Sequence, residues 1–271
     1  MRVLISVDIE GVAGVSRPDQ TTPGALDYEH ARRLMTEEAN AAIRGCFDAG
    51  ATDVIAADAH ASFGNLLPAL LDPRARLAHG KPRRFGMLEG LQLGCDGVML
   101  VGYHAMAGSA GVLAHTIRGA AFHRLWLNGR PVGEAALYAL LAGEHGVPVL
   151  MCSGDDAFGL EVEHWLPQAR RAVVKTAVGN RAAISLSPSN ACALIEAAAR
   201  DGLRARDSAA PLALAPPLVC RVEAKTLVLA DLFALLPSAR RVDPLNVEFD
   251  ASKASEVLGV LALWSAAAAS V

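Results

Sequence analysis

The sequence predicts an α/β fold, a mostly parallel sheet flanked by helices, with a smaller α+β part towards the C-terminal end. Three observations carry this expectation. Val3–Val7, Val54–Ala57 and Gly97–Val101 are short, nearly unbroken apolar runs, the pattern of strands buried on both faces of a parallel sheet. Helix-patterned segments alternate with such runs, as crossover connections between parallel strands require. Hydrophobic residues make up 52% of 271 residues and charged ones 20%, which suits a folded chain with a large core rather than a disordered one.

Met1 leads directly into the first strand, expected at the centre of the sheet, with no charged segment and cleavable apolar run of the kind that marks a signal peptide. Gly11 to Gly24 is rich in Gly, Pro and Thr and reads as a loop over the strand ends. Asp27 then caps a helix to about Phe47, with Met35, Ala39, Ile43 and Phe47 four apart on one face and Gly50 as its stop. Thr52 to His60 is the next strand. Pro68, Pro73 and Pro82 break up the following stretch, leaving a short helix near Met87–Glu89, before the strand at Gly97–Val101. A Gly- and Ala-rich loop, Ala105 to Ala114, delivers His115 and Thr116. Leu125–Leu127 reads as a short strand with a tight turn at Asn128-Gly129. Pro131 is placed as an early helical residue, which puts Glu134 in the first turn of a helix through Ala142. Val147–Cys152 is a further strand.

Beyond it come a helix at Leu160–Ala169, a strand at Ala172–Ala177, and a helix capped by Ser187 with Pro188 just inside, running to Arg200. Ala209 to Pro217 is a Pro- and Ala-rich linker. A strand at Val219–Val222, a helix at Leu227–Leu236, a strand at Asn246–Phe249 and a final helix from Ser252 complete the chain. The expected organisation is therefore an α/β domain over residues 1–158 and an α+β C-terminal domain over 159–271.

A net charge of -3 offers no electrostatic argument for nucleic acid or for an anionic membrane surface. The apolar tail from Val257 to Val271 is shorter than the ~18–20 residues a membrane span requires, and reads as a buried helix. Five cysteines, none spaced as a C-x-x-C pair, disfavour a disulfide framework and a structural zinc site, and fit a reducing cytoplasm.

The chemistry-bearing residues gather where an open α/β sheet binds its ligands, outside the carboxyl ends of the strands. Asp8 and Glu10 leave the first strand two residues apart, hence on one side. Two carboxylates so close repel, and a cation is the simplest answer. Alone, the pair reads more readily as the solvated end of a strand than as a metal site. The second strand, however, ends in Asp58-Ala-His60 and the third in Tyr103-His104, a recurrence of metal-ligand residue types at the right topological place. Oxygen and imidazole donors without thiolate suit zinc, manganese or iron. Glu134 offers another carboxylate, though a helix dipole alone favours a glutamate in a first turn. His115 lies on a glycine-rich loop, where mobile catalytic groups tend to sit. His30, His79, His123, His145 and His164 have no such context.

Ser6-Val-Asp-Ile-Glu-Gly11, Met35-Thr-Glu-Glu-Ala-Asn40, Asp58-Ala-His60, Gly102-Tyr-His-Ala105, Gly111-Val-Leu-Ala-His115, Arg130-Pro-Val-Gly-Glu134 and Gly154-Asp-Asp156 together, in this order, resemble the zinc-dependent D-aminopeptidases of the DppA family. The resemblance extends weakly to Leu186-Ser-Pro188. It implies a two-zinc site held by Asp8, Glu10, His60, His104 and Glu134, with His115 as the catalytic residue. It also implies a short peptide with an amino-terminal D-residue as substrate, and a homodecamer of two stacked pentameric rings enclosing a chamber. Two ions of this kind lower the pKa of water and polarise a peptide carbonyl. Asp8, innermost on the strand, is the natural bridge between them, and His115 is left as proton donor, base or nucleophile.

Two rival readings remain at this level. An apolar strand ending in Asp-x-acid also opens the haloacid-dehalogenase-like phosphatases, but here Lys175 follows Asp155-Asp156 instead of preceding them, and the histidines are left without roles. The other rival is a non-catalytic metal-binding assembly protein, which a chelator would destabilise without abolishing any hydrolysis.

Overall fold

A computed structural model describes residues 1–271. The chain opens with β1 (Arg2–Val7), α1 (Tyr28–Asp48), β2 (Asp53–Asp58), a short edge strand β3 (Arg76–Ala78) and β4 (Gly97–Val101). A hairpin of β5 (Phe122–Leu127) and β6 (Arg130–Pro131) precedes α2 (Glu134–Glu144), β7 (Val149–Asp155) and α3 (Asp156–Trp165). Then follow β8 (Arg170–Gly179), β9 (Ala182–Ser185), α4 (Pro188–Arg204), β10 (Leu218–Ala224) and α5 (Leu227–Phe233). The chain closes with β11 (Ala239–Arg241), β12 (Asn246–Ala251) and α6 (Ala254–Ala267).

Two sheets result. The seven-stranded one has the order β3-β2-β1-β4-β7-β8-β9, parallel throughout except for β9, which pairs antiparallel with β8. The five-stranded one, β11-β12-β10-β5-β6, is antiparallel. The α/β class with a mostly parallel, helix-flanked sheet and a smaller α+β part is thus what the chain adopts. β1 is buried on both faces: Val3, Ile5 and Val7 join Met35, Ala39 and Ile43 of α1 and Ile195 and Leu203 of α4 in one core. Leu4, Val98 and Leu100 face the other core, shared with α2, α6 and the second sheet. Successive strands run outward from β1 to one edge and then resume at β4 on its other side. The carboxyl ends of β1 and β4 therefore flank a topological switch point.

Several local expectations are corrected. Pro131 is not helical: Asn128 and Gly129 take positive φ of 50° and 76°, the two-residue turn that suits a hairpin, and the chain pairs back through Pro131 before α2 begins at Glu134. Helix α3 starts at Asp156 rather than Leu160, because the Asp155 side chain accepts from Phe158 N and caps it there. The final helix buries one face only, through Val257, Leu261 and Trp264, while Leu263 is exposed. Strands β3, β9 and β11 have three or four residues each, too few for a periodic signal. β8 and β9 extend the first sheet, whereas β5 and β6 belong to the second. No helix is long and apolar enough to cross a membrane.

Candidate metal centre

Strand β1 ends at Val7, and residues 8–11 turn at once against the exit of β4. Asp8 N donates to Val101 O at 2.8 Å and Gly11 N to Gly102 O at 2.8 Å. Only a glycine fits the second contact, since a Cβ on Gly11 would lie 1.8 Å from the Tyr103 carbonyl oxygen. This close docking brings the side chains of Asp8 and Glu10 beside His104, the third residue after β4. At the end of β2, the Asp58 carboxylate turns away and accepts from Asn65 N at 2.5 Å and Leu66 N at 2.7 Å. It shapes the loop that presents His60 and does not itself reach the site.

All six residues singled out in the sequence converge. His60 Nδ1 stands 3.2 Å from Asp8 Oδ1 and 3.1 Å from Glu10 Oε2. His104 Nε2 stands 3.5 Å from Asp8 Oδ2 and 3.4 Å from Glu134 Oε1. The imidazole of His115 stacks on that of His104, with centroids 4.1 Å apart. Asp8, Glu10, His104 and Glu134 are buried, and His60 and His115 nearly so. Each imidazole ties one nitrogen to a backbone carbonyl: His60 Nε2 to Thr21 O at 2.8 Å, His104 Nδ1 to Ala105 O at 3.0 Å, and His115 Nδ1 to Leu113 O at 2.9 Å. Each therefore has its other nitrogen left for the carboxylates or an ion, the orientation that outer hydrogen bonds impose on metal-ligating histidines. The remaining histidines lie elsewhere; His123 pairs with Lys225 and His164 with Arg130.

Two candidate ligand clusters overlap at His104. One is Asp8, Glu10 and His104, the other His104, His115 and Glu134, and within each the ligand atoms lie within 4.8 Å of one another. The donor chemistry fits a pair of ions: Glu10 Oε2 is buried and, with only the His60 ring nitrogen near it, takes no well-formed hydrogen bond. Burial and the neighbouring Glu10 push the Asp8 carboxyl up to about 7. Burial works against the charged form of His104 as well, but Glu134 and Asp8 outweigh it and raise the imidazole to about 10. His115 moves the other way, lowered by burial and by its cationic neighbour His104.

The loop that carries His115 is strained and tethered. Leu113 and Ile117 both adopt positive φ, 52° and 59°, which is a costly conformation for a β-branched residue. Ile117 N donates to Glu134 Oε1 at 2.6 Å, Val112 N to Asp155 Oδ2 at 2.6 Å, and Leu113 N to Asn180 O at 2.8 Å. Sequence reasoning found neither Asp155 as a loop anchor nor Glu161, whose Oε2 accepts from Met106 N at 2.7 Å while Oε1 stays buried without a partner. Burial raises the Glu161 carboxyl to about 7. Asp155 stands in the Gly154-Asp-Asp156 motif, which carries no sign of its contact with the His115 loop, and Glu161 belongs to no pattern with local spacing that would have revealed it.

Buried carboxylates and tethered imidazoles at the switch point of a parallel sheet define an α/β protein with a candidate two-metal centre. The D-aminopeptidase model of the peptidase M55 family matches residues 1–263. A D-aminopeptidase of Bacillus subtilis (strain 168) is 36% identical over 254 residues, covering 93% of this chain and 92% of its own. The solved structure of the Zn-dependent D-aminopeptidase DppA from Bacillus subtilis, described as a self-compartmentalizing protease, superimposes with a TM-score of 0.94 at 33% identity, covering 98% of this chain and 97% of that one. The chain belongs to the D-aminopeptidase family of peptidase M55, and the phosphatase and non-catalytic readings are set aside.

Proposed function

We infer that the chain is a metal-dependent D-aminopeptidase that hydrolyses short peptides such as D-Ala-D-Ala, releasing an amino-terminal D-residue, with two zinc ions held by Asp8, Glu10, His60, His104 and Glu134. One observation carries the reading: the carbonyl-tethered imidazoles of His104 and His115 are grouped with three buried carboxylates in two overlapping clusters, and the third tethered imidazole, His60, stands against Asp8 and Glu10. Bound zinc supplies Lewis-acid polarisation of a peptide carbonyl and activation of water. Asp8 Oδ1 faces His60 and Oδ2 faces His104, which supports the reading that Asp8 would be a ligand to both ions.

The chain's own part is to hold and to move protons. His115, whose pKa burial holds below its ordinary value, has Nδ1 fixed on Leu113 O. Its Nε2 is therefore left to act on the scissile bond as proton donor, base or nucleophile. Thr21 O holds the His60 ring through Nε2, which leaves Nδ1 towards Asp8 and Glu10. We further read the protein as a homodecamer of two stacked pentameric rings, supported by the DppA structure's description as self-compartmentalizing and by the exposed apolar side chains of Leu26, Val178 and Ile184. Five free cysteines support a reducing, cytoplasmic setting.

The test is release of the amino-terminal residue from D-Ala-D-Ala and L-Ala-L-Ala, side by side, with zinc-loaded protein and after chelation. Zinc-dependent turnover confined to the D-peptide is expected. Turnover of the L-peptide alone, or turnover that survives complete chelation, overturns the assignment.

A further inference from the structure

Lys175 lies in the middle of β8, 2% exposed, where its ammonium forms no ion pair. Its Nζ donates instead to Glu10 O at 2.5 Å, Val12 O at 3.0 Å and Val15 O at 2.6 Å. An ammonium has three N–H donors, and here all are spent on carbonyls of a single short loop. Glu38 on α1, also 2% exposed, accepts from Ala13 N of the same loop at 2.8 Å. A buried ammonium and a buried carboxyl group, each costly to bury, therefore grip the loop that begins at Glu10.

We propose that Lys175, seconded by Glu38, is a positioning clamp for Glu10 that pre-forms the carboxylate pair of the metal centre. The proposal rests on the metal-centre reading above. The physical need is plain: before an ion arrives, Asp8 and Glu10 repel each other, and a free loop would relieve the repulsion by swinging Glu10 into solvent. Curling carbonyls 10, 12 and 15 around one ammonium fixes the backbone of Glu10 through a charge-assisted hydrogen bond at the residue itself. The Gly11 contact with Gly102 then anchors the next peptide. Binding an ion in such a site costs less ordering than in a loose one. Neither residue touches the reacting atoms, so both act through Glu10.

The decisive measurement is zinc affinity of the assembled protein, by competition with a chromogenic chelator, for wild type, Lys175→Met, Glu38→Ala and Glu38→Gln, with circular dichroism of each to establish the folded fraction. Removal of outer hydrogen bonds weakens metal sites by roughly 10–100-fold. Lys175→Met is expected in that range, with a kcat that falls at ambient zinc and recovers with excess zinc, a response that general destabilisation would not give. Glu38→Ala is expected to weaken zinc less, and Glu38→Gln, which keeps the acceptor for Ala13 N, to stand closer to wild type. Folded Lys175→Met with wild-type zinc affinity overturns the clamp. If Lys175→Met does not fold, wild-type affinity in folded Glu38→Ala overturns it equally. A wild-type protein that binds no zinc overturns the metal-centre reading and the clamp together, whereas normal wild-type binding with unaffected variants overturns the clamp alone.

Discussion

The imidazoles of His104 and His115 lie nearly parallel, 12° apart with centroids at 4.1 Å, although they are held by different means. His104 leaves β4 directly and faces Asp8 and Glu134, whereas His115 rests its Nδ1 on Leu113 O within a strained loop whose Val112 N and Ile117 N donate to Asp155 and Glu134. Two stacked cations would repel, so a charge on one ring suppresses protonation of the other. The ring that faces the carboxylates carries the charge when no ion is bound, and His115 stays neutral.

That asymmetry separates the roles of two residues. Glu10→Ala is expected to abolish both zinc binding and hydrolysis, because it removes one of the two carboxylates clustered with His104. His115→Ala is expected to lower kcat by about a hundredfold or more while zinc per chain stays at the wild-type value. Metal analysis beside steady-state kinetics settles the matter. Equal zinc loss in both variants would make His115 a ligand, as its grouping with His104 and Glu134 also permits.

The burial of Glu161 makes stability depend on pH in a defined direction. Its carboxyl is raised from 4.5 to about 7 by burial, so the folded state favours the protonated form. The associated stability is complete below pH 4.5 and is lost as the pH rises through about 7. A shift of that size corresponds to at most about 3 kcal/mol. Urea unfolding of metal-free protein at pH 5 and pH 8 should show wild type losing roughly 1–3 kcal/mol more than Glu161→Gln, which keeps an acceptor for Met106 N. Identical losses in the two proteins would rule out ionisation of Glu161 as the cause.

Close approach of backbones at Gly11 makes a sharper mechanical prediction. A Cβ there would meet the Tyr103 carbonyl oxygen at 1.8 Å, and neither partner is a flexible side chain. Gly11→Ala should cost more than about 2 kcal/mol and lower zinc affinity, because Asp8 and Glu10 flank the displaced peptide. Gly64→Ala, where only Ser62 Oγ lies near, at 3.9 Å, should stay within about 0.5 kcal/mol of wild type. Chemical denaturation of the pair checks both.

How far the site was legible follows from how each residue reaches it. β1, β2 and β4 announce themselves because strands buried on both faces need continuous apolar runs, and His60 and His104 lie within three residues of strand ends. The convergence of Asp8 and Glu10 was expected from strand alternation, yet β1 stops at Val7. What brings them together is the turn docked on Gly102 and Tyr103, a contact no local period encodes. Lys175 is more distant still, 165 residues from its partner Glu10, in a strand whose sequence gives no reason to bury a cation. The hairpin at residues 122–131 was half visible: its turn follows from Asn128-Gly129, but its membership of the second sheet depends on β10, some ninety residues later.

Asp155 joins the end of β7 to the His115 loop, and its loss should divide catalysis from metal binding. Its Oδ1 caps α3 through Phe158 N at 2.8 Å, and its Oδ2 accepts from Val112 N at 2.6 Å. Removing the cap costs about 1 kcal/mol, and leaving the fully buried Val112 N–H unpaired costs roughly 1–3 kcal/mol more. The loop stores strain at Leu113 and Ile117, so once untethered it can relax and carry His115 away from its stack on His104. Asp8, Glu10 and His60 hang from β1 and β2 and do not depend on this tether. Asp155→Ala should therefore cut kcat sharply with zinc content close to wild type. Asp155→Asn, whose single amide oxygen can serve only one of the two N–H groups, should fall between. If Asp155→Ala lost zinc in proportion to activity, the loop would be holding the metal centre itself; if kcat were unchanged in a folded variant, the tether would have no part in placing His115.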